Sequence, residues 1–405
     1  MNYHRFIIAI AVVLSVLTVS GQNTDGEEDF LLSSIERNNT TLIALRTEAE
    51  ARKLENRTGI TLADPEVGYK HMWEGGEESG NLSELTVTQS IDLATVMGQR
   101  TRVAREQNLL IDEEYRMARM EILLDAQLTL VDLAYYNALA AELDRRLGHA
   151  RRVVEAERTR LESGDTDALS HNNVLLSLSA LEAEEARIEM ERNVLIARLT
   201  ALNGGVTLDN IESLDALENL ESLDNLENLD FSSWYAEAEV HLPQLAQARQ
   251  MSEVRSGELA LAKASHLPSL SATYINERHT VGTRSQGVAV GVSIPLWANK
   301  NRVRSARTAL QAAEAQQTDA ELQLRSAFEQ EFTRVKGLHH TAMLYRRALD
   351  EANNSTLLEK AMDEGYISVL EYLQGIELYY DYLDRSLSAD RDYHRALATL
   401  EAWRL

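Results

Sequence analysis

Histidines, acids and hydroxyl residues are all present in this 405-residue chain, but they are not spaced for catalysis. His339 and His340 are adjacent on a helical pattern, so their side chains point apart and make a poor metal pair. His71 and Met72 alternate on a strand pattern and face opposite sides. The chain has no phosphate-cradling glycine loop, no G-x-S-x-G nucleophile turn and no H-E-x-x-H zinc helix. Cysteine is absent, which removes disulfides, thiolate metal sites, cysteine nucleophiles and a lipid-modified cysteine. The expectation is a protein that is not an enzyme and has no cofactor and no metal site. Acids outnumber bases 64 to 40, and a net charge of −24 repels phosphate, so nucleic acid is excluded as a partner. The most unusual acids lie in residues 204–231, where Leu214, Leu217, Leu220, Leu223, Leu226 and Leu229 recur every third position with acids in step. A cation-binding collar is the chemistry such a run could do. A solvated low-complexity linker is the plainer reading, because a period of three suits neither helix nor strand.

The elements that surround these residues are legible. Only 19 glycines and 4 prolines occur, which suits long uninterrupted helices. Residues 1–21 read as a cleaved signal peptide: Arg5, an apolar run over 6–19, then Ser20 and Gly21. That run is shorter than the ~20 residues a spanning helix needs. No later stretch is long and apolar enough either, so a membrane-embedded mature chain must cross as strands. Residues 286–294 alternate, with Val288, Val290, Val292 and Ile294 against small or polar neighbours. Residues 269–276 do the same with Leu270, Ala272 and Tyr274, and the polar loop 277–285 joins the two. A second hairpin pairs 63–73 (Val67, Tyr69, His71, Trp73) with 84–93 (Leu85, Val87, Ile91, Leu93) around a glycine-rich turn at 75–81. Each strand is about nine residues, the length of a tilted membrane strand.

Helical periodicity covers 27–62, about 96–161, about 166–203, 232–264 and 300–362. Val174, Leu181, Ile188, Leu195 and Leu202 are seven apart, which implies coiled-coil packing. Gly164 and Gly365 punctuate the two long helical stretches as helix stops. The chain repeats itself: Pro65 matches Pro268, hairpin 65–93 matches 268–295, and Gly164, Leu169 and Leu199 match Gly365, Leu370 and Leu400. This divides the chain into repeats at 22–203 and 232–405, with the acidic insert at 204–231 between them.

Strands with one apolar face fit a barrel with lipid outside and water inside. Open strand edges cannot sit in lipid, and four strands are too few to close, so several copies must share one barrel. Three copies give twelve strands, an even number in the normal range, while two or four copies also give even counts. The rival reading is a soluble exported coiled-coil scaffold, which leaves two bilayer-length hairpins unexplained.

The duplicated plan is similar to the TolC family of outer membrane efflux proteins. The resemblance rests on LADPEVGY and SHLPSLSATY before the strands, GVAVGVSIPLWANKNR into the long helix, and the glycine tips followed by Ala168-Leu169 and Val369-Leu370. It covers nearly all of the mature chain. It implies a mainly α fold with a small β part: duplicated helical hairpins forming a periplasmic α-barrel, and four strands per chain in a shared 12-stranded trimeric β-barrel. The expected function is a passive exit duct for tripartite efflux or type I secretion. The expected location is the outer membrane of a Gram-negative cell, with the helices in the periplasm. The expected partners are two further copies, outer membrane lipid, a periplasmic adaptor and an inner-membrane pump.

The resemblance also implies residue roles. Leu161, Glu162, Ser163, Gly164, Asp165, Asp167, Asp363, Glu364, Gly365, Tyr366 and Ile367 would close the tunnel and dock the adaptor. The acids among them would form rings in a trimer. Val67, Tyr69, Leu85, Val87, Ile91, Leu270, Tyr274, Val288, Val290, Val292 and Ile294 would face lipid. The insert and the missing lipidated cysteine are departures from some family members.

Overall fold

A computed structural model describes residues 25–73, 81–208, 230–280, 282–297, 299–352 and 354–405. The expected signal peptide, most of the turn at 75–81 and most of the acidic insert lie outside the described residues. The first repeat begins with helices α1 (Asp25–Asn38) and α2 (Thr40–Thr58). Strands β1 (Glu66–Met72) and β2 (Leu82–Ile91) follow, then α3 (Ala94–Ser163) and α4 (Ala168–Leu202). The second repeat has α5 (Phe231–His241), α6 (Pro243–Ala264), β3 (Ser269–His279) and β4 (Arg284–Ser293). It ends with α7 (Arg302–Glu351), α8 (Ser355–Asp363) and α9 (Val369–Glu401).

α3 has 70 residues, roughly 105 Å of helix at 1.5 Å each. No proline interrupts it, and Gly98 and Gly148 sit in open space. The heptad seam of α4 lies against α3: Val174 and Ile188 are buried, Leu181 joins Leu139, Leu143 and Leu147, and Leu195 and Leu202 join Leu130 and Leu133. Each fully buried leucine in such a seam stabilises by about 1.5–3 kcal/mol.

The helical readings need three corrections. The pattern over 27–62 is broken at Asn39, whose backbone is extended (φ −62, ψ 115). Its buried side chain accepts from Leu42 N–H at 2.9 Å and donates to the Leu202 carbonyl at 2.8 Å, so one amide serves two helix ends. The pattern over 232–264 breaks at the matching place, where Pro243 opens α6 and Leu242 before it is extended. The pattern over 300–362 is broken between Glu351 and Ser355. The polar loop read over 277–285 is shorter in the structure, because pairing continues to Arg278↔Arg284.

The four strands form one antiparallel sheet in the order β1-β2-β3-β4. β2 pairs with β3 from Leu82↔His279 to Ile91↔Leu270, joining the two hairpins across the repeat boundary. The helices keep the same order. Near the sheet α2 packs on α3, α3 on α6 and α6 on α7; toward the tips α4 packs on α3, α3 on α9 and α9 on α7. The chain is therefore an arc of helices and strands, with β1 and β4 at the ends of its sheet. Between sheet and tips sit two matching cores. Leu199 is buried with Leu31, Ile35 and Leu133, and Leu400 with Trp234, Leu245 and Phe332.

Candidate functional site

Two surfaces carry the residues singled out by sequence: the helical tips and the sheet. The tips share one backbone design. α3 stops at Gly164 (φ 78), where Asp165 N–H donates to the Arg160 carbonyl at 2.8 Å and Gly164 N–H to Leu161 at 3.1 Å. α8 stops at Gly365 (φ 75), where Tyr366 N–H donates to Ala361 at 2.8 Å and Gly365 N–H to Met362 at 3.0 Å. Both are Schellman stops, which need a left-handed residue and so favour glycine. The return helices are capped at matching positions. Asp167 accepts from Ser170 N–H at 2.7 Å. Ser368 and Glu371 form a reciprocal capping box, with bonds of 3.2 and 2.8 Å.

The tip acids do not share one environment. Asp167 is a cap, and the Ser170 N–H holds its carboxyl below the ordinary carboxylate range. Asp165 accepts from Ser163 Oγ at 2.8 Å. Glu364 lies 3.9 Å from Lys360, both exposed. Glu162 and Asp363 are exposed; Leu161 and Ile367 are half-buried, and Tyr366 is exposed.

The sequence reading missed the contacts that bind the two hairpins just behind the tips. Arg146 on α3 is buried and binds Asp384 of α9 at 2.6 and 3.1 Å and Glu142 at 3.2 Å, with its guanidinium 4.2 Å from the Tyr380 ring centre. His149 Nε2 lies 2.5 Å from Tyr372 Oη, and its Nδ1 lies 3.4 Å from Glu359. Burial pushes the imidazole below its ordinary range and the phenol well above its own. These residues are 223 apart in sequence, so no local period announces them. The only local signal is the i,i+4 spacing of Glu142 and Arg146.

The sheet gathers most of its large apolar side chains on one face. The cross-strand rows Val67–Val87–Tyr274–Val288, Gln89–Ala272–Val290 and Ile91–Leu270–Val292 lie on one face, with Tyr69 and Leu85 in the row beside them. Glu66–Thr88–Thr273–Ala289, Gly68–Thr86–Ile275–Gly287 and Ser90–Ser271–Gly291 lie on the other. All the strand residues expected to face lipid thus share one surface, with Ile294 continuing the alternation just past β4. Val288 and Val290 are 76% and 75% exposed, too much apolar surface for water to cover without cost. Trp73 lies past one end of the band and Trp297 past the other, both exposed.

Among the described residues, no helix is long and apolar enough to cross a membrane, a test that says nothing about strands. No group of three or more metal-ligating side chains occurs among them.

Residues 234–403 match the outer membrane efflux protein family. The structure of CusC, described in terms of transmembrane channel formation, superposes over 100% of this chain and 98% of its own, with a TM-score of 0.76 at 13% identity. VceC, an outer membrane protein from Vibrio cholerae, covers 93% of this chain and 96% of its own at TM-score 0.69 and 15% identity. The CmeC outer membrane channel of Campylobacter jejuni covers 100% and 93% at TM-score 0.67 and 14% identity. No curated protein matches by sequence. Residues 234–403 are thus similar in sequence to the outer membrane efflux protein family, and the whole chain shares the fold of these channels. The match runs from α5 to the last helical turn, and the first half of the chain follows a similar order of elements.

Proposed function

We propose that three copies of this chain close a twelve-stranded barrel in the outer membrane of a Gram-negative cell. The helices continue it as a tunnel through the periplasm, and solutes pass without catalysis. The observation that carries the reading is the sheet: one apolar face, one polar face, and β1 and β4 each paired on one side only. Unpaired strand edges are costly in lipid, so a second copy must supply β4 for β1. The helical arc has the same order as the strands, so one rotation closes both levels. The exposed Trp73 and Trp297 fit the two membrane–water boundaries.

In this reading the tips form the periplasmic end. They meet an adaptor protein that connects to an inner-membrane pump, which supplies the energy. Glu162, Asp165, Asp363 and Glu364 ring the narrow end and favour cations. The test is single-channel recording of the full chain in planar lipid bilayers. Discrete steps are expected, and their conductance should rise in Asp165→Ala plus Asp363→Ala. Absence of steps would sink the duct; steps unchanged by the substitutions would sink the acidic rings alone.

A further inference from the structure

The charges on the sheet are sorted between its faces. All three acids of the four strands, Glu66, Glu84 and Glu277, lie on the polar face, where Lys70 is 3.8 Å from Glu84. Among the described residues, the apolar face of the four strands carries no acid. At its loop end, farthest from the helices, it carries the row His71–Ser83–Arg278–Arg284. Arg278 and Arg284 are direct cross-strand partners and both are exposed. Directly opposed like charges destabilise a strand pair, and an anion between two guanidiniums would offset that repulsion. His71 accepts or donates at 2.8 Å to Ser83, and Trp73 packs edge-on to it at 4.7 Å. In a chain of net charge −24, two adjacent arginines with no acid among the described strand residues of their face are a local inversion of sign.

We infer that Arg278 and Arg284, cross-strand partners at the loop end of the apolar face, bind the phosphate of a phosphorylated glycolipid in the outer leaflet. The inference rests on the barrel reading, which turns this face to lipid and its loop end to the cell exterior. Two guanidinium forks match a phosphate's oxygens, and the arginine stems lie along the apolar band while the heads reach the headgroup layer. Tyr69 and Trp73 lie at the β1 edge; in the closed barrel that edge adjoins β4 of a neighbouring copy, so a neighbour's Tyr69 and Trp73 supply the amphipathic surface typical of that layer. Each copy carries one such pair.

The test uses the full chain extracted from outer membranes in detergent and titrated with diphosphorylated lipid A, with bound lipid counted by native mass spectrometry. The wild type should bind it saturably. R278Q/R284Q should bind roughly tenfold more weakly, the loss expected for removed charge-assisted hydrogen bonds. Dephosphorylated lipid A should bind the wild type as weakly as lipid A binds the variant. Equal binding by wild type and variant, or no binding by either, would overturn the site. Displacement of lipid A by millimolar inorganic phosphate would overturn the commitment to a lipid. Co-sedimentation of both proteins with the outer membrane is scored on the same samples. If both are membrane-bound and bind alike, only the lipid site fails; if neither is membrane-bound, the barrel reading fails with it.

Discussion

The two helical tips have the same backbone and opposite chemistry. Gly164 and Gly365 stop their helices with the same pair of hydrogen bonds, and Asp167 and Ser368 start the return helices at the same offset. Behind the first tip, buried Glu157 binds Arg160 at 2.7 Å and accepts from Thr166 at 3.0 Å. At the matching places behind the second stand Leu358, Ala361 and Ile367. Leu358 fits over Gly375, where a Cβ would come within 2.8 Å of it, and packs with Met362 and Ile367 beside Tyr372. The first arm is also one continuous helix, while the second is interrupted before α8. Glycine and a polar cap suffice to specify the turn, which leaves the surrounding positions free to diverge. Polar bonds of Glu157 brace the first turn and apolar contacts of Leu358 the second, while Val153 and Val174 of the first hairpin join the apolar cluster that the two share.

The largest expected effect breaks this comparison directly. Leu358→Glu places a carboxylate in the apolar cluster and should lower local stability by about 2–3 kcal/mol. Glu157→Leu should change it by less than about 1 kcal/mol, because replacing a buried ion pair by a hydrophobe of similar size is often neutral. Hydrogen exchange of the tip helices measures both. Equal losses would mean the tips are not chemically distinct.

Next come the stops. Gly164→Val and Gly365→Val should each cost about 1–2 kcal/mol, because both glycines hold left-handed backbone. A Cβ meets nothing within 4 Å at either position, so the cost is purely conformational and should be equal. A clear inequality in thermal unfolding would show that one tip is strained beyond its turn.

The smallest effect is in the caps. Backbone N–H groups hold the carboxyls of Asp167 and Glu371 below their ordinary values. Folded-state values below the unfolded ones mean that the stabilisation is full above the ordinary carboxylate range, about pH 4. It is lost as pH falls through the depressed values. Both return helices should therefore fray at their first turns in acid, seen as faster amide exchange, and Asp167→Asn should remove the response at the first tip only.

The parts legible in the sequence were those with a local cause. Gly164 and Gly365 were visible because only a few residues tolerate their backbone, and the α4 seam because its aliphatic residues keep a strict seven-residue period. The period of two along 286–294 was enough by itself to put its valines on one face. The helix break at Asn39 was hidden because apolar periodicity runs through it, and a buried amide binding Leu42 and Leu202 leaves no periodic trace. Pro243 offered a signal that the helical pattern overrode. The extension of β3 through Glu277 and Arg278 was obscured by their charge, which alternates across the sheet as its apolar residues do. The Arg146–Asp384 and His149–Tyr372 contacts join distant helices and follow only from how the arc packs.

The central claim is that one chain is an incomplete wall that three copies close. The most direct measurement is the native mass of the particle extracted in detergent from the outer membrane of a Gram-negative host expressing the full chain. The account predicts three mature chains in a membrane-derived particle. A monomer or dimer that stays soluble without detergent would contradict it.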